Sequence, residues 1–231
     1  MCKAIAKIGF FLIMGFPLAC SQRSKQESPA VSPALPQIKK EAEPDSGKSK
    51  KNIVFYGNSL TAGYGIDPAE AFPHLIQKKL DSLHRPYQVI NAGLSGETSS
   101  DGNTRIDWVL RQPLDIFILE LGGNDGLRGI PLSETSRNLQ SIIDKVKSKY
   151  PAAKIILAGM KIPPNMGQKY SSEFSTLFRQ LAAKNHLSFI PFLLEGVGGI
   201  PELNQSDGIH PNVEGHKIVA ENVWKVLEPL L

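Results

Sequence analysis

The chain has 231 residues, of which 41% are hydrophobic and 21% are charged, and its formal net charge is +4. This length is enough for one domain with a hydrophobic core and shorter segments outside it. The positive charge does not favour a nucleic-acid partner, because residues 52–231 carry 17 basic and 18 acidic side chains. Cys2 and Cys20 are the only cysteines, so residues 21–231 can form no internal disulfide bond.

The amino-terminal segment has the pattern of an export signal. Two lysines precede an apolar run over residues 8–16, which is too short to span a bilayer as a stable helix. Residues 18–20, Leu-Ala-Cys, then resemble a lipobox, in which the cysteine is acylated and becomes the new amino terminus. We therefore predict a lipoprotein-type signal peptide over residues 1–19 and a lipid on Cys20. Ordinary cleavage of the leader is the alternative.

Residues 21–51 have the composition of a disordered linker. They combine four prolines with serine, glutamine, glutamate and lysine, and they contain little that could form an apolar face. Such a segment cannot offset the entropy that is lost on ordering. With a lipid on Cys20, it would tether the rest of the chain to a membrane of the bacterial cell envelope, on the periplasmic side or at the surface.

From residue 52 onward, short apolar runs alternate with amphipathic segments of helical spacing. This alternation predicts an α/β fold in which a parallel sheet lies between helices on both faces. The predicted strands are residues 53–56, 87–90, 115–121, 154–159 and 187–191. The predicted helices are residues 68–83, a segment that starts at 99–101 and runs to 110, and residues 133–150, 172–185 and 212–227.

The first predicted strand ends in Gly57, Asn58 and Ser59. Glycine permits a tight turn there, and ligands of open α/β sheets bind at the carboxyl ends of the strands. Ser59 is therefore a candidate nucleophile. The competing interpretation is that Ser59 only caps the helix that follows, as most serines after a strand do.

An acid and a histidine near the end of the chain favour the nucleophile. Asp207 precedes His210 by three residues, just before the last predicted helix. A serine hydroxyl attacks poorly at neutral pH unless a base removes its proton, and histidine does so best when a carboxylate fixes its tautomer.

Two further polar loops, residues 91–98 and 121–126, follow the second and third predicted strands. Together with the segments that hold the candidate serine and histidine, they resemble the four sequence blocks of the SGNH (GDSL) hydrolases, in the same order. The sequence of residues 121–129, LGGNDGLRG, is similar to the branch of bacterial thioesterases, lysophospholipases and arylesterases. The resemblance spans residues 52–231, and it departs from the family at Asn58, where the first block usually has aspartate.

This resemblance implies both a fold and a set of site residues. The implied fold is a three-layer α/β/α sandwich around a five-stranded parallel sheet with flavodoxin-like strand order. The implied nucleophile is Ser59, with His210 as its base and Asp207 as the supporting acid. The implied oxyanion hole consists of the backbone N–H groups of Ser59 and Gly96 and the side-chain amide of Asn124.

The expected function is that of a serine esterase, which hydrolyses carboxylic esters through an acyl-serine intermediate. By resemblance, its small-molecule or lipid substrates are short or medium acyl esters, lysophospholipids or acyl thioesters. Two alternatives remain open: a carbohydrate O-deacetylase acting on envelope polysaccharide, and a ligand-binding homologue without catalysis because of Asn58. We expect a monomer without a cofactor, whose hydrolase domain is residues 52–231.

Four other features need an interpretation. The spacing of Glu214 and His216 after the candidate base matches no common zinc motif, so no metal site is predicted. Asp125 is expected to anchor the loop that carries the predicted oxyanion-hole asparagine, and the glycine-rich residues 196–199 are expected near an acyl pocket. Glu120 interrupts an apolar strand and needs a buried partner that the sequence does not identify.

Overall fold

The computed structural model describes residues 50–231. The predicted signal peptide, Cys20 and the linker up to residue 49 lie outside the described residues. Lys51, predicted to be the last linker residue, is instead the first residue of a strand. Within the described part of the chain, no helix is long and apolar enough to cross a membrane.

Five parallel strands form a single sheet in the order β2-β1-β3-β4-β5. This order is flavodoxin-like, and the predicted sheet is confirmed. Parallel neighbours require a crossover connection between successive strands, and helices provide these connections. The strands are β1 (Lys51–Gly57), β2 (Tyr87–Asn91), β3 (Ile116–Glu120), β4 (Lys154–Ala158) and β5 (Ser188–Ile190).

The helices form the two outer layers of a three-layer sandwich. Helix α2 packs against α7, while α5 packs against both α3 and α6. In the described residues the α-helices are α1 (Ser59–Ala62), α2 (Phe72–Ser82), α3 (Ser99–Val109), α4 (Gly123–Leu127), α5 (Leu132–Lys149), α6 (Gln168–Asn185) and α7 (Val213–Leu227). Single 3₁₀ turns occur at Pro68–Glu70, Pro164–Met166, Pro201–Leu203 and Glu228–Leu230.

The apolar strands lie at the centre of the hydrophobic core. Residues 53–56 of β1 have no exposed side-chain surface, and residues 116–119 of β3 are at most 2% exposed. A strand that is buried on both faces needs no alternation of apolar and polar residues, which explains the uniform runs in the sequence. Full burial of one such aliphatic or aromatic side chain contributes about 1.5–3 kcal/mol. The core therefore holds the carboxyl ends of β1 and β3 rigidly side by side.

Helix boundaries agree with the sequence where a side chain caps the helix. Thr98 and Asp101 form a capping box at the start of α3, and Asn212 caps α7 by accepting a hydrogen bond from the Gly215 N–H. Helix α6 begins four residues before the predicted start, after Gly167 at φ +94° and without a side-chain cap. The short helices α1 and α4 were not predicted.

Candidate active site

Ser59 lies at the carboxyl end of β1, at the first position of α1, and is 9% exposed. The cap of α1 is Asn58, whose Oδ1 accepts a hydrogen bond from the Leu60 N–H at 3.0 Å. The interpretation of Ser59 as a helix cap is therefore wrong. Because Asn58 takes that role, the serine hydroxyl is available to another partner.

That partner is His210, which the fold brings from a position 151 residues away. The distance between Ser59 Oγ and His210 Nε2 is 2.9 Å, and His210 Nδ1 lies 2.6 Å from Asp207 Oδ2. The second carboxylate oxygen, Oδ1, accepts hydrogen bonds from the N–H groups of Ile209 at 2.9 Å and His210 at 3.0 Å. The three side chains thus form one continuous hydrogen-bonded chain.

The carboxyl group of Asp207 is ionised at neutral pH. Hydrogen bonds from the backbone N–H and the ring of His210, and then from the Ile209 N–H, lower its pKa to about 2. An ionised carboxylate can only accept, so it places the imidazole proton on Nδ1. Nε2 is then an acceptor, and it faces the hydroxyl of Ser59.

The predicted oxyanion-hole residues lie on the neighbouring loops, in two different settings. Asn124 lines the same cavity as Ser59, and its Nδ2 donates one hydrogen bond, to the Glu97 carbonyl at 2.8 Å. An amide nitrogen carries two hydrogens, so one stays available. Gly96 precedes Glu97, adopts φ +85°, and accepts from Arg128 Nη2 at 3.1 Å through its carbonyl. Gly96 is not among the residues that line the cavity.

Asp125 anchors the start of α4, as the sequence predicted. It is completely buried, and its carboxylate accepts hydrogen bonds from the N–H and hydroxyl groups of Ser99 and from Thr135 Oγ1. Ser99 belongs to α3 and Thr135 to α5. These contacts fix α4, and with it Asn124, relative to the helices on that face of the sheet.

Glu120, the last residue of β3, has partners that the sequence did not reveal. It is 1% exposed, and its Oε2 accepts hydrogen bonds from the Asn58 N–H at 3.0 Å and from Thr61 Oγ1 at 2.8 Å. Its Oε1 has no hydrogen-bond partner among the described residues. Burial raises the pKa of this carboxyl group to about 7, against the opposing effect of the two hydrogen bonds. Glu120 therefore holds both ends of the turn that presents the serine.

Gly57 makes this close approach possible. A Cβ atom at position 57 would lie 2.2 Å from Thr61 Oγ1 and 2.5 Å from Glu120 Oε2. Any larger residue would push the carboxyl group away from the turn. The glycine before Asn58 is thus required by packing against Glu120.

A cavity of about 510 Å³ opens beside the serine, within the size range of small-molecule sites. Part of its wall comes from residues 160–163, after β4, and from Phe192, Leu194, Gly198 and Gly199, after β5. Sequence reasoning missed residues 160–163, Phe192 and Leu194, although both segments follow the carboxyl end of a strand. It did place the glycine-rich segment here, and Gly198 and Gly199 line the cavity. The apolar lining consists of Leu60, Leu127, Met160, Ile162, Pro163, Phe192, Leu194 and Ile209.

His216 lies in the first turns of α7 as predicted, but it is part of the core. It is 1% exposed, its Nδ1 accepts a hydrogen bond from the Phe72 N–H at 3.2 Å, and its ring stacks on Phe72. Burial lowers its pKa to about 4, so the ring is neutral at neutral pH. Among residues 50–231, no group of three or more His, Cys, Asp or Glu side chains could hold a metal ion.

Comparisons with known proteins agree with this arrangement. Residues 55–218 match the GDSL-like Lipase/Acylhydrolase family. The chain is 38% identical over 182 residues to "Esterase TesA" of Pseudomonas aeruginosa. The aligned residues make up 78% of this chain and 90% of the relative. It is 36% identical over 180 residues to "Thioesterase 1/protease 1/lysophospholipase L1" of Escherichia coli K12. Here the aligned residues make up 78% of this chain and 84% of the relative.

A solved structure extends the likeness to the fold. The crystal structure of TesA matches with a TM-score of 0.75 and 38% identity, over 78% of this chain and 100% of that chain. The matched family segment contains Ser59, Asp207 and His210. The chain therefore belongs to the GDSL-like lipase/acylhydrolase family, and it is an enzyme that hydrolyses ester bonds.

Proposed function

We propose that Ser59 is the nucleophile, His210 the general base and Asp207 the residue that orients the base. The observation that carries this assignment is the hydrogen-bonded chain from Asp207 Oδ2 through the imidazole to Ser59 Oγ, at 2.6 and 2.9 Å. Ser59 and His210 both line the cavity, so a bound ester can reach the hydroxyl. The ionised carboxylate stabilises the imidazolium that forms when the base takes a proton.

The reaction proceeds in two half-reactions. His210 Nε2 removes the proton of Ser59 Oγ as this oxygen attacks the ester carbonyl, which forms a tetrahedral intermediate. The imidazolium then gives the proton to the leaving alcohol or thiol as its bond to the acyl carbon breaks. Water enters and loses a proton to Nε2 as it attacks the acyl-serine. The imidazolium returns that proton to Ser59 Oγ, and the carboxylic acid leaves.

Three N–H groups are proposed to stabilise the oxyanion. They are the backbone N–H groups of Ser59 and Gly96 and the unused amide hydrogen of Asn124. The support for Asn124 is its position in the cavity and the fact that, among residues 50–231, its Nδ2 makes one hydrogen bond, to the Glu97 carbonyl. One donor of this kind typically contributes about 3–4 kcal/mol to transition-state binding.

The proposed substrates are esters of short or medium acyl chains, with lysophospholipids and acyl thioesters as further candidates. The apolar lining of the cavity supports an acyl chain, because methylene groups gain about 0.8 kcal/mol each on burial. Two relatives carry names that refer to esterase, thioesterase and lysophospholipase activity. An O-acetylated glycan would leave most of this apolar surface unused.

For cellular location, we infer from the leader alone an envelope lipoprotein anchored through Cys20, and we propose that it is a monomer. Incorporation of radiolabelled palmitate into the wild-type chain, but not into Cys20→Ala, would support the anchor. A soluble wild-type chain without label would contradict it. Size-exclusion chromatography with light scattering reports the mass in solution.

The assay of function is hydrolysis of p-nitrophenyl acetate, butyrate and hexanoate, compared between the wild type and Ser59→Ala. Ser95→Ala is the matched control, because Ser95 is exposed in the loop beside Gly96. We expect turnover that only Ser59→Ala abolishes. Release of fatty acid from lysophospholipid, compared with release of acetate from O-acetylated glycan, then separates the substrate classes. Activity that survives in Ser59→Ala would refute the assignment of the nucleophile.

A further inference from the structure

The proposed catalytic pair depends on two loops that are far apart in the chain. We call residues 59–65 the serine loop and residues 204–211 the histidine loop. Asp207 makes its hydrogen bonds within its own turn, to Ile209 and His210. These bonds orient the imidazole inside the histidine loop, but they do not fix the distance between this loop and the serine.

Gln205 provides that link between the loops. Its Nε2 donates to the carbonyl of Tyr64 at 2.7 Å and to the carbonyl of Pro211 at 3.1 Å, which uses both amide hydrogens. Its backbone N–H donates to the His210 carbonyl at 2.8 Å. Among the hydrogen bonds of residues 50–231, only the bond between Gln205 and Tyr64 and the bond between Ser59 and His210 join the two loops.

The serine loop is shaped to accept this side chain. Gly65 adopts φ +77°, and a Cβ atom there would lie 2.1 Å from Gln205 Oε1. A residue with a side chain at position 65 would displace the amide from both carbonyls. The absence of a side chain is therefore what lets Gln205 lie against the backbone of the serine loop.

Tyr64 couples the link to the base itself. The Tyr64 N–H donates to the Ser59 carbonyl at 3.0 Å, and its ring packs on the imidazole of His210 with a centroid distance of 4.7 Å. Tyr64 is 52% exposed, so burial in the core does not hold its ring in place. The hydrogen bond from Gln205 to the Tyr64 carbonyl fixes the backbone that carries this ring.

We propose that Gln205 is a positioning residue for ester hydrolysis: its amide holds the histidine loop at the distance from the serine loop at which His210 Nε2 meets Ser59 Oγ. The inference rests on the proposed function. Gln205 does not line the cavity, so its role is separate from substrate binding. Misplacement of a reacting group by about 1 Å can reduce a rate by about 100-fold.

The test replaces Gln205 with methionine, which has a similar length and volume and no N–H donor. Gln88→Met is the matched control, because Gln88 is exposed on β2 and its amide bonds only to the carbonyl of the next residue. We expect Gln205→Met to reduce kcat for p-nitrophenyl butyrate by about 10- to 100-fold, with KM within about twofold of the wild type. The rate of inactivation by a fluorophosphonate should fall by a similar factor, because it also needs the activated hydroxyl. Circular dichroism at the assay temperature monitors the folded fraction.

A second variant, Gln205→Glu, separates positioning from a general loss of structure. Near neutral pH the ionised carboxylate of this variant has no hydrogen-bond donor, and protonation at lower pH gives it one O–H donor. The activity of this variant relative to the wild type should therefore rise as the pH falls from 8 to 5. If the activity of Gln205→Glu relative to the wild type stays constant with pH, or if Gln205→Met is folded and has the kcat of the wild type, the inference is wrong while the proposed function stands. A wild type with neither ester turnover nor fluorophosphonate inactivation would overturn the proposed function and the inference with it.

Discussion

Replacement of Glu120 with glutamine should remove the contribution of this carboxyl group to the pH dependence of stability, a contribution that falls between about pH 4.5 and 7. The carboxyl group is 1% exposed, and burial raises its pKa from 4.5 to about 7. The folded state therefore holds this proton more tightly than the unfolded state does. The stabilising contribution of the protonated group is fully present below pH 4.5, and it is lost as the pH rises through 7.

The size of the effect follows from the two pKa values. Each pH unit between them lowers the unfolding free energy by about 1.4 kcal/mol, which amounts to about 3 kcal/mol over the whole interval. Glutamine keeps an oxygen that can accept from Asn58 and Thr61, but it does not titrate. Any constant cost of its buried NH₂ group shifts the whole stability curve without changing its slope.

Urea unfolding of the wild type and Glu120→Gln, measured at pH 4.5, 5.5, 6.5 and 7.5, tests this prediction. The difference in unfolding free energy should move by about 3 kcal/mol in favour of the variant across this range. Glu173→Gln, an exposed change on α6, controls for the loss of a carboxylate. If the curves of the wild type and Glu120→Gln run parallel, the buried carboxyl group does not titrate as described.

Three further predictions concern the site and the core. Asp207→Asn should lower kcat by about 10²- to 10⁴-fold, because the amide no longer fixes the tautomer of His210. Steady-state kinetics measures this effect, and an unchanged kcat would contradict the prediction. Asn124→Ala should lower kcat by about 10²- to 10³-fold with little change in KM, and a change in KM alone would instead indicate a role in substrate binding. In the wild type, His216 has a pKa lowered to about 4, so its stabilising contribution is present above pH 6.5 and is lost as the pH falls towards 4. In urea unfolding, the stability of His216→Gln relative to the wild type should therefore rise by about 3 kcal/mol as the pH falls from 6.5 to 4, and a constant difference would contradict this.

The sheet was predictable because its central strands, β1 and β3, contain uniformly apolar runs. A run such as residues 53–56 can be buried only between two layers of helices, and that condition nearly determines the fold class. The helices α1 and α4 were missed because they have four and five residues, too few for a periodic pattern. Helix α1 forms on the local cap by Asn58, and α4 is anchored by Asp125 through a tertiary contact with Ser99.

The proposed catalytic side chains could be placed from the sequence because they follow strand ends or form local turns. Parallel strands bring their carboxyl ends to one edge, and the strand order implied by the resemblance makes the segments after β1 and β3 neighbours, as the structure has them. The apolar lining of the cavity could not be placed in this way. Residues 160–163 and 192–199 are largely irregular, and their positions depend on packing that no short-range pattern records.

Asn58 shows what the serine turn requires at this position. Its Oδ1 accepts from the Leu60 N–H at 3.0 Å, and the carboxylate of an aspartate could accept this bond equally well. The backbone N–H of Asn58 is already bonded to Glu120, so an aspartate would add a second carboxylate to the same buried turn. Two carboxylates so close resist joint ionisation. In this chain the amide of Asn58 supplies the acceptor for the Leu60 N–H without adding a second negative charge beside Glu120.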